Sequence, residues 1–260
     1  MVNVMNRYRQ ELDDTLERTF GHLDLTRLFP TSMYYYIELE DSIKNPSWKR
    51  RMHRFHPGVD INYVQELMSA LYLAELAYAG SLEEVQEGLA RSNSPVELVY
   101  CDTESIPHEP AHFILLKKDQ SVWSNELEVV IVVRGTRTVS DALTDAKMEA
   151  IDYRGGKTHE GILKSGRYLV GRHTELLQKL CQLSGKKKVK LTLVGHSLGA
   201  GAATIAAMEF NDHPTIEAKV VGFGCPSLLS KELAEQVKPF VTTVICDSDC
   251  IPRMNGVTIA

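Results

Sequence analysis

A serine between two glycines occurs at residues 195–199, where the chain reads Gly-His-Ser-Leu-Gly. In a Gly-x-Ser-x-Gly pattern the serine lies on a very tight turn, and the glycines leave out side chains that would collide there. Such a turn presents the hydroxyl of Ser197 for nucleophilic attack on an acyl carbonyl. The structural alternative is a glycine-rich turn around an ordinary serine. The pattern alone does not decide between the two, since a chain of this length matches it by chance about 0.1 times.

The residues on both sides of Ser197 favour the nucleophile. The apolar segment 191–194 predicts a buried strand before the turn, and the small residues of 198–210 predict a helix that lies close to a sheet. The N-terminal end of that helix carries a partial positive charge, which stabilises negative charge developing on a substrate. We therefore predict that Ser197 is a catalytic nucleophile.

Predicted strands and helices alternate over residues 61–260. Helical patterns cover 61–80, 159–183, 198–210 and 230–237. Ser81 and Glu84 predict a capped start for a further short helix. Predicted strands cover 96–101, 111–118, 127–133, 189–194, 217–223 and 240–246. This alternation predicts an α/β fold with a mainly parallel sheet flanked by helices.

Composition and charge argue against several classes of protein. The 260 residues are 43% hydrophobic and 24% charged, as in ordinary globular proteins, and the net charge of −5 argues against a nucleic-acid binder. The longest strongly apolar run, 129–133, is far too short to span a bilayer, and the first residues lack a signal-peptide pattern.

Five cysteines without a CxxC pair favour reduced thiols. We therefore expect a cytoplasmic protein without a metal or cofactor.

Residues 1–60 differ from the rest of the chain and are predicted to form a partly helical N-terminal extension of a main domain at 61–260. The basic stretch 48–56 could contact an anionic membrane surface. A solvated helix face or loop is the commoner role of such a charge run. Peripheral association with a membrane is therefore left open.

Four ordered segments resemble those of the class 3 lipases: 129–145, 159–169, 195–203 and 241–253. These lipases are α/β-hydrolase-fold acylglycerol hydrolases related to fungal lipases. The Arg-Gly-Thr segment that leads into Asp-Ala-Leu-Thr-Asp, and a later Asp-x-x-Pro-Arg segment, are most similar to the sn-1-specific diacylglycerol lipase branch. The resemblance covers about residues 65–256 and implies hydrolysis of acylglycerol esters through an acyl-enzyme.

An acyl-enzyme mechanism needs an oxyanion hole, and two residues are predicted to supply it. In the hydrolase geometry one donor is the backbone N–H after the nucleophile, here that of Leu198. The resemblance implies that the second donor is the backbone N–H of Thr136, just after the strand at 127–133. The alternative for Thr136 is a turn residue whose hydroxyl is satisfied locally.

The acid of the triad is predicted to be Asp249, which follows the last predicted strand and occupies the Asp-x-x-Pro-Arg segment. Its carboxylate would orient the catalytic histidine. Asp247 is a nearby competitor. Asp141 and Asp145 are interpreted as capping or loop-fixing residues.

The histidine base is missing from its expected place. The triad of this fold follows the chain order Ser, Asp, His, and none of the nine histidines follows Asp249. His196 adjoins the serine and His159 lies in a His-x-Gly segment, but the resemblance implies structural roles for both. We therefore expect a C-terminally incomplete domain that lacks the end of its sheet and is nearly inactive.

Two questions of interpretation stay open in the sequence. The segment 147–161 is either a small lid hinged at Gly155 and Gly156 or a connecting loop. The leading hypothesis for function is a serine hydrolase that cleaves acylglycerol esters. The alternative is a catalytically silent lipid-binding or interaction domain of the same fold, and no motif favours a third possibility, an acyltransferase.

Overall fold

The computed structural model describes residues 60–92, 94–118, 120, 123–136, 150–245, 249 and 251–253. All of them lie in the unit that spans residues 57–260. Of the predicted extension 1–60, only Asp60 is among the described residues, so the basic stretch 48–56 lies outside them. Asp141, Asp145 and Asp247 also lie outside the described residues. The boundary between the two predicted domains therefore stays a prediction.

Five helices and eight strands make up the described part of the chain. The helices are α1 (Ile61–Leu76), α2 (Leu82–Arg91), α3 (Glu160–Leu183), α4 (Leu198–Phe210) and α5 (Lys231–Val237). The strands are β1 (Val96–Asp102), β2 (His112–Lys117), β3 (Glu126–Val133), β4 (Ala150–Tyr153), β5 (Gly156–His159), β6 (Lys188–His196), β7 (Ile216–Phe223) and β8 (Val241–Val244). None of these described helices combines the length and the apolar character that a bilayer crossing requires.

Six strands form one sheet in the order β1-β2-β3-β6-β7-β8. Strands β1, β2 and β3 pair antiparallel, whereas β3, β6, β7 and β8 pair parallel. The mainly parallel sheet predicted from the sequence is therefore confirmed. The carboxyl ends of its four parallel strands emerge along one edge, which is where ligand sites form in open α/β sheets.

The sheet is covered by helices on both faces, and β3 shows the arrangement most clearly. Val129, Ile131 and Val133 pack in a core with α3 and α4, while Val130 and Val132 pack in a second core with α1. All five side chains are buried. A continuous β-branched run is the pattern of a strand that is buried on both faces, so the sequence located β3 correctly.

The segment between β3 and α3 contains a β-hairpin that the sequence did not predict. Strands β4 and β5 pair antiparallel, and Arg154 and Gly155 form the turn, with a φ of 80° at Gly155. A Cβ at Gly156 would lie 2.4 Å from Ser230 Oγ and 2.7 Å from Leu233 Cγ, because the hairpin packs against the start of α5. Of the two glycines interpreted as a hinge, Gly155 therefore lies in the turn of a hairpin, and Gly156 begins β5, which packs on α5.

Two histidines are buried in contact between the sheet and α3. His112 on β2 and His173 on α3 approach with 2.6 Å between their Nε2 atoms, and each is 1% exposed. His112 Nδ1 donates to the carbonyl of Pro110 at 2.7 Å. In the neutral pair, His112 Nε2 must therefore accept, His173 Nε2–H must donate, and His173 Nδ1 lacks a partner among the described residues.

Burial lowers the pKa of both imidazoles from 6.5. The charged groups that act on them are Asp102, which raises the pKa of His112, and Arg172, which lowers the pKa of both. His112 also lowers the pKa of His173. The folded protein therefore favours the uncharged pair.

We expect the free energy of unfolding to fall as the pH is lowered from 7 to 5. Below about pH 6.5 the unfolded chain binds protons at His112 and His173 more readily than the folded protein does, because the pKa of both is lowered in the fold, that of His173 to about 3. The stability that the neutral pair contributes is complete above that pH, and His173 alone accounts for a loss of about 1.4 kcal/mol per pH unit below it. Urea unfolding at the two pH values measures the loss.

A double variant and a matched histidine control isolate this effect. His112→Phe combined with His173→Leu removes both imidazoles, so the double variant should lose less stability between pH 7 and 5 than the wild type. His213→Gln should lose as much as the wild type, because His213 is only partly buried and bonds to Gln178 at 2.7 Å. An equal loss in the double variant would contradict the explanation.

Candidate active site

Ser197 lies on a strained turn between β6 and α4. Its φ of 54° and ψ of −128° place a residue with a side chain in a region that normally requires glycine. The backbone N–H of Ser197 donates to the carbonyl of Phe223 at 2.9 Å, which ties the turn to the end of β7. Ser197 is 7% exposed, so access to it is narrow. Strain of this kind at the end of a buried strand is typical of a nucleophile turn.

The two glycines around Ser197 are required by backbone contacts. A Cβ at Gly195 would lie 2.6 Å from the backbone N of Ala200, in the first turn of α4. A Cβ at Gly199 would lie 2.4 Å from the carbonyl oxygen of Val133 and 2.7 Å from the carbonyl carbon of Arg134. We call residues 195–199 the serine turn. Its glycines allow β6, α4 and the end of β3 to meet at one point.

Residues 134–136, which we call the β3 loop, lie directly against the serine turn. A Cβ at Gly135 would be 2.5 Å from the carbonyl oxygen of His196 and 3.2 Å from Ser197 Cβ. Arg134 anchors the loop, because its N–H donates to Ala111 and its buried guanidinium donates through Nη1 to the carbonyl of Thr103, both at 2.9 Å. The tertiary structure thus brings the β3 loop to the serine.

Thr136 and Leu198, the two predicted oxyanion donors, line one cavity of about 850 Å³. The cavity continues past His159 and Ile162 at the start of α3 and along the loop between β1 and β2. Its walls mix apolar and polar side chains. The structure therefore brings Thr136 and Leu198 together beside space that a substrate could enter, and their role as donors stays a prediction.

Asp249 follows β8 and lies at the same edge of the sheet. Its Oδ1 accepts from the N–H of Ile251 at 3.0 Å, and its main-chain carbonyl accepts from the guanidinium of Arg253. Gly224, with a φ of 56°, lies between the aspartate and His196: a Cβ there would be 2.9 Å from Asp249 Oδ2 and 3.8 Å from His196 Nε2. Asp249 thus lies near the imidazole of His196, the residue that adjoins Ser197.

A family model described as lipase (class 3) matches residues 130–258, which include the β3 loop, the serine turn and Asp249. The chain belongs to the class 3 lipase family.

The relatives of this chain include much longer proteins. Mouse diacylglycerol lipase-beta is 38% identical over 138 residues, which are 49% of this chain and 20% of that protein. Rat diacylglycerol lipase-alpha is 31% identical over 180 residues, which are 64% of this chain and 16% of that protein. The chain therefore spans a fifth or less of the length of these curated relatives.

Solved structures of fungal lipases share the fold of this chain. The lipase of Rhizopus microsporus var. chinensis has a TM-score of 0.59 at 20% identity, with 78% of this chain and 72% of that chain covered. The triacylglyceride lipase of Rhizomucor miehei has a TM-score of 0.60 at 16% identity, with 78% of each chain covered. The α/β-hydrolase fold expected from the sequence is confirmed.

The two histidines that the sequence offered as substitute bases have other contacts. His159 accepts from the N–H of Ile162 at 3.3 Å and caps α3, as the sequence suggested. The Nδ1 atom of His196 lies 2.8 Å from the hydroxyl of Tyr78. Burial lowers the pKa of His196, while the charges of Asp249 and Glu75 raise it.

Tyr78 is the residue of the site that sequence reasoning missed. It lies just after α1, and besides contacting His196 its hydroxyl packs against Gly135, where a Cβ would be 2.7 Å from the hydroxyl oxygen. In the sequence Tyr78 is one aromatic residue near the end of a helical pattern, with no motif around it. The spacing of residues gave no signal that could have found it.

Proposed function

We propose that this chain is a serine hydrolase that cleaves an acyl ester bond of acylglycerols, with diacylglycerol as the preferred class. The observation that carries the proposal is the strained Ser197, packed against the β3 loop at the carboxyl edge of the sheet. The names of the mouse and rat relatives support diacylglycerol. Because acylglycerols reside in lipid phases, the proposal includes transient contact with a lipid surface.

In the proposed reaction, Ser197 Oγ attacks the ester carbonyl and forms a tetrahedral intermediate. The backbone N–H groups of Leu198 and Thr136 would hold its oxyanion, each contributing about 3 kcal/mol to the transition state. A base takes the serine proton and passes it to the departing glycerol oxygen as the carbon–oxygen bond breaks. Water then releases the fatty acid from the acyl-enzyme by the reverse sequence of proton transfers.

Asp249 is proposed to orient the imidazole of that base. Five of the six histidines among the described residues have a ring nitrogen engaged with another group. The sixth, His108, lines the cavity but precedes both Ser197 and Asp249 in the chain. We propose that none of the nine histidines of this chain is the base, because none follows Asp249.

A small imidazole in solution can test this proposal, because it can replace a missing histidine side chain. We expect the 260-residue chain to hydrolyse diacylglycerol in mixed micelles close to the background rate. Added imidazole should raise the rate by at least about tenfold, since a positioned general base accelerates such reactions by 10² or more. Fatty acid release, measured with diacylglycerol and triacylglycerol in parallel, also tests the preferred substrate.

Two variants serve as controls. Ser197→Ala should show no stimulation by imidazole, and Asp249→Ala should show much less than the wild type. Equal stimulation in Ser197→Ala would refute the nucleophile, and rapid turnover without imidazole would refute the proposed absence of a base. Binding to diacylglycerol vesicles without any turnover, even with imidazole, would instead support the silent lipid-binding domain.

A further inference from the structure

We propose that Tyr78 is a positioning residue, whose hydroxyl joins the β3 loop to the serine turn and holds the oxyanion donors in register. The inference rests on the proposed function, because it assigns Tyr78 a role in the same reaction. Tyr78 itself touches neither the reacting serine oxygen nor the predicted oxyanion donors. It acts through the residues that precede them.

One hydroxyl makes both contacts. Tyr78 Oη lies 2.8 Å from His196 Nδ1, and the two rings meet edge to face with 5.9 Å between their centroids. The same oxygen packs against Gly135, where a Cβ would lie only 2.7 Å from it. His196 immediately precedes Ser197, and Gly135 immediately precedes Thr136. A single oxygen atom thus connects the residue before the nucleophile with the residue before a predicted oxyanion donor.

The β3 loop needs such a restraint because its central residue must be glycine. A Cβ at Gly135 would lie 2.5 Å from the carbonyl oxygen of His196 and 2.7 Å from Tyr78 Oη, so no side chain fits. Glycine, however, leaves the backbone free to take many conformations. The hydroxyl of Tyr78 packs against Gly135 and restricts the positions that its backbone can take. The same restriction limits the orientation of the next peptide, which carries the N–H of Thr136.

The direction of the bond between Tyr78 and His196 follows from the proton on the tyrosine. Burial keeps the Tyr78 hydroxyl protonated near neutral pH, so we assign its O–H as the donor to His196 Nδ1, 2.8 Å away. His196 Nδ1 must then accept, which places the imidazole proton on Nε2, the atom that lies near Asp249 across Gly224. The bridge therefore requires a neutral Tyr78 and a neutral His196 with its proton on Nε2.

The surroundings favour these protonation states. Burial raises the pKa of Tyr78 to about 12, against the lowering effects of the Gly135 N–H and of Arg134. Burial likewise lowers the pKa of His196, against the raising effects of Asp249 and Glu75. Near neutral pH the hydroxyl therefore keeps its proton, and the imidazole accepts it.

Tyr78→Phe removes only the bridging oxygen and tests the inference. With imidazole present, we expect kcat for ester hydrolysis to fall by ten- to a hundredfold while KM stays within about twofold, because the loss falls on stabilisation of the transition state. Tyr72→Phe is the matched control. Its hydroxyl also comes from α1 and donates to Gly88 at 2.8 Å, away from the site, so its kcat should equal that of the wild type.

The partner residue provides a second activity test. His196→Leu removes the acceptor, so it should lower kcat about as much as Tyr78→Phe, and the double variant should be little worse than either single variant. His196→Asn, which can present an oxygen close to the position of Nδ1, should retain more activity than His196→Leu. Fully additive losses in the double variant would overturn the bridge.

A spectroscopic test does not depend on turnover. In the wild-type chain, ¹⁵N NMR should show His196 at neutral pH with its proton on Nε2 and Nδ1 as an acceptor, whereas Tyr78→Phe should lose this preference. A wild-type His196 protonated on Nδ1, or unchanged signals in Tyr78→Phe, would overturn the inference. Two kinetic results for Tyr78→Phe would also overturn it: a kcat equal to that of the wild type, or a higher KM with no change in kcat.

These outcomes separate the inference from the function on which it rests. A wild-type Ser197 that stays unreactive with imidazole present would refute the proposed function. A reactive Ser197 with equal rates in the wild type and in Tyr78→Phe would refute the role of Tyr78 only.

Discussion

Replacement of Ser197 by alanine is expected to abolish the reaction of this protein with a small fluorophosphonate in the presence of imidazole. Such a reagent bonds to an activated serine oxygen, and Ser197 is the one serine of the described residues that lies on a strained turn with positive φ. Ester turnover with imidazole should fall to the rate measured without protein. Intact-mass measurement after labelling gives the number and the site of the adducts.

Ser184→Ala is the control for this prediction. The hydroxyl of Ser184 donates to the carbonyl of Cys181 at 2.9 Å at the end of α3, so its loss should leave the labelling of Ser197 unchanged. Labelling that persists in Ser197→Ala would contradict the assignment of the nucleophile.

The strain at Ser197 predicts a further difference between two inactive variants. Ser197→Gly removes the hydroxyl and also relieves the unfavourable φ and ψ, whereas Ser197→Ala retains the strain. We expect the glycine variant to be more stable than the alanine variant by about 1 kcal/mol. Equal unfolding midpoints would show that the turn stores little strain.

Gly199→Ala is expected to have the second-largest effect, although it adds only one methyl group. The new Cβ would meet the backbone of Val133 and Arg134 at 2.4 to 2.8 Å, and backbone atoms cannot rotate away as a side chain can. The serine turn and the β3 loop must therefore separate, and the predicted donors Thr136 and Leu198 must move apart. Imidazole-stimulated turnover should fall on the order of 10²-fold or more, as when an oxyanion donor is lost.

Gly171→Ala is a matched control, since a Cβ at Gly171 meets nothing within 4 Å. Gly171 is exposed within α3, so alanine there should stabilise the protein by about 0.5–1 kcal/mol and leave turnover unchanged. Circular dichroism should show that Gly199→Ala remains folded. Wild-type turnover in a folded Gly199→Ala would contradict the proposed contact between the two loops.

Local sequence patterns predicted most elements of the sheet and its covering helices. Helix α4 has the same bounds, 198–210, in the sequence analysis and in the structure, because the serine turn begins it and small side chains allow it to lie on the sheet. Strand β3 was found because its β-branched run is buried on both faces. Such signals are local, since each depends on a few consecutive side chains.

The hairpin of β4 and β5 was not predicted, because its stability comes from another part of the chain. Each strand has four residues, too few for a clear alternation of polar and apolar side chains. The hairpin is held by contacts with the start of α5, where the N–H of Ser230 donates to the carbonyl of Lys157 at 2.9 Å. No pattern within 147–161 shows that contact.

The sequence by itself determined that Ser197 lies on a turn between a buried strand and a helix, because the required glycines and the apolar residues are all within a few positions of it. Only the tertiary structure decided that Tyr78, 118 residues before His196, joins that turn to the β3 loop. The side chain arrives there because α1 packs on the face of the sheet formed by β3, β6 and β7. A contact of this kind depends on the packing of whole elements, which the spacing of residues along the chain does not record.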